Sequence, residues 1–459
     1  MLRFAAVSIV LSFAAACGRA GAEAEATDAA APGEAAAQVT TGAAESSETA
    51  TAAKEVIDAE EPGGAEADAE ATGAEEPGET ATADAADARA ARATEPGPAA
   101  ARARKKLRKD FWVIGYYATY LFRRYRPEEV RYDVLTHVAV TRVYPAKDGA
   151  LIAEFGRDGE AGEALAGEVV RRAHEAGTRA LLVVGGGGAR EALAGAATDE
   201  ARPAFVAALV EFARARGFDG LDLDWEPLRK GDVEALATLA ADLRAAWPEA
   251  DLTAAAPHLA AGRDEADAAW ERAAGPLDRV NLMTYGMAAT ERGGRSWHSA
   301  ALYGAASEGY VSIDRSVRGY LAAGVPARRL GIGIGFFGVC YTPPVDGPRQ
   351  ELRRAAVAAA DCSMSYADIV RRYFDPAARR WDAEARVPYL ALPGPTGPHG
   401  CGFVSYEDAA SIAERAAYAA ERGLGGAIVW AINEGYLRWA PEGERDPLME
   451  ALGRHFRRR

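Results

Sequence analysis

The chain has 459 residues and a formal net charge of −14, with 26% charged and 49% hydrophobic residues. The charge is uneven: 18 acidic residues and one lysine, Lys54, lie between residues 21 and 88, and residues 89–459 sum to about +1. The acidity therefore describes a segment rather than a folded surface. With no nucleic-acid motif and no basic stripe interleaved with aromatics, nothing points to a nucleic-acid partner.

Residues 1–17 have a basic start, an apolar middle and small residues before a cysteine. That pattern predicts a secretory signal peptide too short to span a membrane. The Ala14-Ala-Ala-Cys17 ending is similar to a bacterial lipoprotein cleavage site. The expectation is export, with Cys17 lipidated and the protein anchored to the cell envelope. The alternative is an ordinary signal peptide cut near Ala16, and secretion. Residues 18–108 are rich in Ala, Glu, Thr and Pro and lack aromatics. They cannot bury enough apolar surface to offset ordering entropy, which predicts a disordered acidic linker. The linker ends in a basic run, residues 102–109, read as a solvated boundary.

Residues 109–459 carry the folding pattern. Strand-like runs fall at 111–117, 135–140, 180–185, 220–225, 252–256, 280–285, 330–337 and 426–432. Stretches of helical period lie between them, at 159–176, 203–216, 232–247 and 406–422. Eight strands alternating with helices predict an α/β fold, a (β/α)8 TIM barrel rather than an open sheet. The glycines at 185–188 lack the pattern of a phosphate loop and are read as allowing close backbone approach. Between the seventh and eighth strands, residues 338–405 are expected to form a small inserted lobe, with a short helix at 366–373 and a strand near 387–391. This lobe holds Cys340, Cys362 and Cys401. Export permits a disulfide among them, but spacing does not choose the pair. No CxxC is present, His137, His258 and His298 have no ligand spacing, and neither a metal nor a cofactor is expected.

The chemistry concentrates in Phe218-Asp-Gly-Leu-Asp-Leu-Asp-Trp-Glu226. On a strand, alternate residues share a face, so Asp222, Asp224 and Glu226 line one side and Leu221, Leu223 and Trp225 the other. Asp219 is out of phase and reads as structural. Three acids in a row on a buried face are costly and must share protons. Glu226 falls at the strand's C-terminal end, where barrel enzymes gather their catalytic groups. A raised pKa would let it protonate a leaving oxygen. With all three acids on one side of a substrate, the geometry suits a substrate that supplies its own nucleophile, such as an N-acetyl carbonyl.

The segment Asp219–Glu226 resembles the DxxDxDxE signature of family 18 glycoside hydrolases, the chitinase-like enzymes. Further motifs of that family are similar in order: Ile114-Gly-Tyr-Tyr117, Leu135-Thr-His137, Val280-Asn-Leu-Met-Thr-Tyr285, Trp297-His-Ser-Ala-Ala-Leu-Tyr303, Val404-Ser-Tyr-Glu-Asp408 and Gly425-Gly to Trp430. The resemblance implies a retaining glycosidase acting on β-linked N-acetylglucosamine-containing glycans, such as chitin or its oligosaccharides. It also implies roles. Glu226 is the acid and then the base. Asp224 holds the acetamido N–H, and Asp222 shares its proton. Tyr285 bonds the acetamido carbonyl. Trp430 floors the sugar, Tyr116 supports the aspartates, Met283 packs near the acetamido methyl, and Trp297 stacks on sugar at the leaving-group side.

Four positions depart from the family pattern: Val183 replaces a serine beside the inner aspartate, Arg142 an aromatic, Pro227 a tyrosine and Gly286 an aspartate. If Arg142 points inward, it would pair with Asp222 or meet a charged substrate group. The departures keep two alternatives open. One is an endo-acting β-N-acetylglucosaminidase or a peptidoglycan-directed hydrolase; the other is a non-catalytic lectin.

Overall fold

The computed structural model describes residues 111–146, 150–288, 294–304, 310–352 and 357–457. The signal-peptide, linker and Cys17 expectations lie outside the described residues. Eight parallel strands form the centre: β1 (Trp112–Tyr117), β2 (His137–Pro145), β4 (Arg179–Gly186), β5 (Gly220–Trp225), β6 (Asp251–Pro257), β7 (Arg279–Met283), β8 (Leu330–Gly335) and β14 (Gly426–Trp430). Their order is β1-β14-β8-β7-β6-β5-β4-β2, and β1 also pairs with β2, so the sheet closes on itself. The closed order is that of a TIM barrel. A short strand that the sequence pattern did not signal, β3 (Leu151–Ala153), adds to β2 antiparallel.

Side-chain parity builds two apolar layers. Ile114, Tyr116, Ala139, Leu181, Val183 and Ile428 pack together as one cluster, with Trp430 and Tyr285 against it. The opposite parity, including Leu221, Leu223 and Trp225 of β5, joins the large core shared with the helices. The helices present matching stripes. Helix Gly159–Glu175 buries Gly162, Ala166, Val169, Val170 and Ala173 at helical spacing,. Helix Ala409–Arg422 is held at its start by Asp408, whose side chain accepts from the amides of Ala410 and Ser411, and ends on Gly423 in the left-handed region,. Among the described residues, no helix is long and apolar enough to cross a membrane.

The predicted seventh strand is in fact two. It breaks at Phe336, and β9 (Phe337–Tyr341) leaves the barrel for a second sheet. That sheet is antiparallel, in the order β10 (Val357–Ser365), β9, β13 (Cys401–Ser405), β12 (Val387–Thr396), β11 (Arg379–Asp382). An apolar run cannot signal such a change of sheet, because both halves are fully buried. Cys340 and Cys401 form a disulfide that joins β9 to β13 across 61 residues of sequence.

Closing so long a loop restricts the unfolded chain, and such a bond contributes about 2–4 kcal/mol. Replacing Cys340 and Cys401 together by alanine is expected to lower the calorimetric unfolding midpoint. An unchanged midpoint would show that the lobe is held by packing alone.

Candidate active site

Asp222 is fully buried on β5. Three donors from three other strands meet it. The Tyr116 hydroxyl of β1 donates to Oδ2 at 2.8 Å, the Asn281 amide of β7 to Oδ1 at 2.9 Å, and the Thr253 hydroxyl of β6 also to Oδ1. Burial pushes the Asp222 carboxyl up, and these three donors pull it back down,. The support expected of a serine on β4 thus comes from elsewhere. Val183 lies opposite Asp222 in the β4–β5 register, and Thr253 lies opposite it on the other side, in the β5–β6 register. Thr253 and Asn281 were not singled out in the sequence. A threonine or asparagine inside a strand, at the parity of the acids, is the signal that would have found them.

Asp224 is buried, and among the described residues its Oδ1 has no hydrogen-bond partner. Burial, then the charges of Glu226 and Asp222, raise its pKa well above the carboxylate range, while Arg142 works against them. Asp222 holds three donors, and among the described residues the Asp224 Oδ1 has none, so the shared proton belongs on Asp224. Glu226 follows directly after β5 and keeps part of its surface open. Burial and the charge of Asp361 push its carboxyl up to about 7, against the pull of Arg142. Glu226 therefore still carries a proton near neutral pH.

The walls come from neighbouring strands. Tyr285 lies just beyond β7, packs edge-on to Phe337 at 5.9 Å, and has its hydroxyl held in the neutral form by burial and by Glu226 and Asp224. Gly286 follows at φ +64°, where a side chain would be strained,. Trp430 ends β14, and its ring meets that of Tyr116 at 5.7 Å. Met283 ends β7, half-buried, and its carbonyl lies 3.2 Å from Nδ1 of His258. The fold thus gathers Tyr116, Asp222, Asp224, Glu226, Met283, Tyr285 and Trp430 in or beside one barrel mouth.

Two expectations need correction. Trp297 is 1% exposed and offers no face to a sugar. Tyr310 stacks on it at 4.1 Å, Arg349 lies over its ring at 4.9 Å, and its indole N–H donates to the Val311 carbonyl. The loop it belongs to fastens the lobe: His298 sits between Asp382 and Ser405, and the Leu302 amide bonds the Ala385 carbonyl. Arg142 does not reach Asp222. Its guanidinium pairs with Glu154 at 2.7 Å and bonds the carbonyls of Gly185 and Gly187. Its charge is felt by Asp224 and Glu226 instead. Gly186 makes this placement fit, and Gly185 lets β4 approach the Asp224 backbone. A Cβ on Gly185 would lie 2.2 Å from the Asp224 carbonyl oxygen, and one on Gly186 2.7 Å from the Arg142 guanidinium.

One site residue was missed altogether. Asp361, from the lobe strand β10, accepts from the Trp430 indole N–H at 3.2 Å. An isolated acid in an Ala-rich stretch gives no periodic signal of this position.

The donors around Asp222 yield a prediction. Thr253→Val or Asn281→Leu removes a donor from a buried carboxylate, at a cost of about 1–3 kcal/mol in chemical denaturation at neutral pH. The lost donor raises the folded-state pKa further, so the deficit shrinks as the pH falls and Asp222 is protonated. A deficit that does not depend on pH would show that Asp222 is not the group affected.

Comparison with known proteins agrees with this geometry. Mouse (Mus musculus) chitotriosidase-1 is 31% identical over 280 residues, covering 56% of this chain and 58% of that protein. The chain thus spans less than two thirds of that relative. A chitinase from Cycas revoluta, solved in complex with (GlcNAc)3, superposes with a TM-score of 0.62 at 23% identity, over 75% of this chain and 99% of that one. A chitinase-like agglutinin from Robinia pseudoacacia superposes with a TM-score of 0.59 at 23% identity, over 75% of this chain and 99% of that one. Likeness at that identity reports the fold alone. The sequence itself goes further: residues 113–435 match the model for glycosyl hydrolases family 18, and the chain belongs to that family.

Proposed function

We propose that this protein is a retaining glycosidase that cleaves β-linked N-acetylglucosamine-containing glycans, with chitin or chito-oligosaccharides as substrates and the substrate's own acetamido group as nucleophile. The observation that carries the reading is the pairing of a half-open Glu226, its carboxyl pushed up to about 7, with a buried Asp224 whose Oδ1 lacks a partner among the described residues. An acceptor left unpaired inside a protein is expensive unless a ligand supplies the donor. An acetamido N–H is such a donor.

The steps follow from the groups present. Glu226 transfers its proton to the glycosidic oxygen as the bond from that oxygen to the anomeric carbon breaks. The acetamido carbonyl oxygen bonds to the anomeric carbon from the opposite face and closes an oxazolinium ring. Asp224 passes its proton to Asp222 as it accepts the N–H, and the carboxylate so formed stabilises the positive charge. The Tyr285 hydroxyl, neutral at any working pH, donates to the carbonyl and fixes its line of attack. Trp430 offers the sugar an apolar floor. Glu226, now a carboxylate, draws a proton from water, which opens the ring with net retention. Pairs of carboxylates flanking the bond do this in most glycosidases. Here the second carboxylate's task falls to the substrate.

The names of the relatives support the substrate class: chitotriosidase for the mouse protein, and a bound (GlcNAc)3 for the Cycas structure. The pattern of residues 1–17 supports export, so that the substrate is met outside the cytoplasm.

Purified protein should release the fluorophore from 4-methylumbelliferyl chito-oligosaccharides, and Glu226→Gln should lower kcat by about 10²–10⁴-fold while binding persists. Because the acid must be protonated, kcat should fall as the pH rises through about 7. If the wild type binds chito-oligosaccharides and cleaves none, the protein is a lectin. If it cleaves peptidoglycan or glycoprotein glycans instead, the substrate assignment fails while the chemistry stands.

A further inference from the structure

Behind the floor of the site lies a second pair of acids that this mechanism does not use. Asp361 sits where β10 departs from regular pairing with β9; the register shifts between Ala360 and Ser365. Its φ is +40°, in the left-handed region that residues other than glycine seldom adopt,. A bulge of this kind re-aims a side chain. Here it sends the carboxylate to the Trp430 indole N–H, at 3.2 Å and 3.4 Å from its two oxygens.

Glu434 comes from the opposite side, at the end of the 3-10 turn Ile432–Glu434 that follows β14. It is fully buried. Among the described residues, neither of its oxygens has a donor at full hydrogen-bond geometry; the Ala431 amide is near and is the weakest of the influences on it, set against burial and the charge of Asp361. A carboxylate oxygen of Glu434 and one of Asp361 lie within 4.8 Å of each other. An ionised carboxylate with no donor, beside another carboxylate, is among the costliest arrangements a protein interior can hold. A single proton removes the difficulty. Protonated Glu434 becomes a donor, and Asp361 is its acceptor. Asp361 has the better claim to the charge, since it receives the Trp430 indole N–H and the Cys362 amide, while Arg124 lies near both acids.

We propose that Glu434 and Asp361 share one proton and act as a positioning pair: Glu434 donates to Asp361, which stays anionic, anchors the Trp430 indole and presents a fixed negative charge to Glu226. The inference rests on the hydrolase reading above for its effect on rate, but the proton-sharing itself does not. The charged and titratable groups around the pair are Arg124, Tyr120 and Tyr285, with Glu226 facing Asp361. Glu226 is faced in turn by Asp224, Asp361, Tyr285 and Arg142. Two opposed charges therefore bracket the catalytic acid. Asp361 favours its protonated form from the lobe side, and Arg142 favours its ionised form from the β2 side. Trp430 and Glu226 are then tied together, since one lobe residue both holds the sugar platform and biases the proton donor.

Three variants test this: Asp361→Asn, Glu434→Leu and Glu434→Gln. Removing the charge at 361 lowers the pKa of Glu226, so the alkaline limb of the kcat profile should move to lower pH by roughly half a unit or more, with little change in KM. Glu434→Leu deprives Asp361 of its donor and makes it take the proton itself, which should move the limb the same way. Glu434→Gln offers an amide N–H in place of the carboxyl O–H and should restore the limb toward wild type. A merely structural role predicts no such rescue and no shift in the limb. If Asp361→Asn leaves the limb in place, or Glu434→Gln moves it as far as Glu434→Leu, the pair does not bias Glu226. Infrared difference spectra of Glu434→Gln against wild type at neutral pH need no substrate. They should show the loss of a protonated carboxyl band. Loss of an ionised carboxylate band would overturn the shared proton, even if the wild type proves inactive on every glycan.

Discussion

Three carboxylates on alternate residues of one strand, pointing into a closed barrel, set the terms for everything around them. Their mutual repulsion and their lost hydration cannot be relieved by moving them, because β5 is paired with β4 from Gly220 to Trp225 and with β6 from Gly220 to Leu223. Relief has to come from donors on other strands or from protons. The inner end takes the first route: Tyr116, Thr253 and Asn281 converge on Asp222 from β1, β6 and β7. The outer end takes the second, and Asp224 and Glu226 hold protons near neutral pH. A gradient from a buried but hydrogen-bonded carboxylate to acids that keep their protons more readily is what acid–base chemistry at a barrel mouth requires.

The lobe is part of this electrostatic arrangement and not an ornament on the barrel. It leaves the barrel where β8 breaks at Phe336, returns through β13, and is cross-linked by Cys340 and Cys401. Its β10 delivers Asp361 to the platform tryptophan. The loop that carries Trp297 and His298 fastens it to the barrel, with buried contacts to Asp382 and Ser405. The setting of the Trp430 ring thus involves a residue from a sheet that lies outside the barrel.

Arg142 shows how a substitution within a family-like site is absorbed. It stands where an aromatic residue was expected, and Glu154 on one side and the Gly185 and Gly187 carbonyls on the other hold it. Gly186 leaves it room. Its charge opposes that of Asp361 across Glu226, so a change at either position should be felt at the acid.

Much of this was legible in the residue order. The period of two in Asp222, Asp224 and Glu226 placed three acids on one face, and eight apolar runs separated by helical stretches implied a barrel. Both follow from local geometry, in which spacing along the chain fixes direction in space. Asp219 likewise read as structural, and it bonds the Ala180 amide and His174. What spacing could not decide were contacts between segments far apart in sequence. Thr253 and Asn281 became donors only because strand order put β6 beside β5 and closure of the barrel turned β7 toward the same interior. Trp297 left the site because the lobe closed over it. Asp361 and Glu434 met because a bulge and a 3-10 turn, 73 residues apart in the numbering, face each other behind Trp430. The sequence alone determined the acid row, the barrel and the family likeness, since each is written in short-range pattern. Only the tertiary structure decided which groups neutralise that row, because burial and charge are properties of neighbours in space.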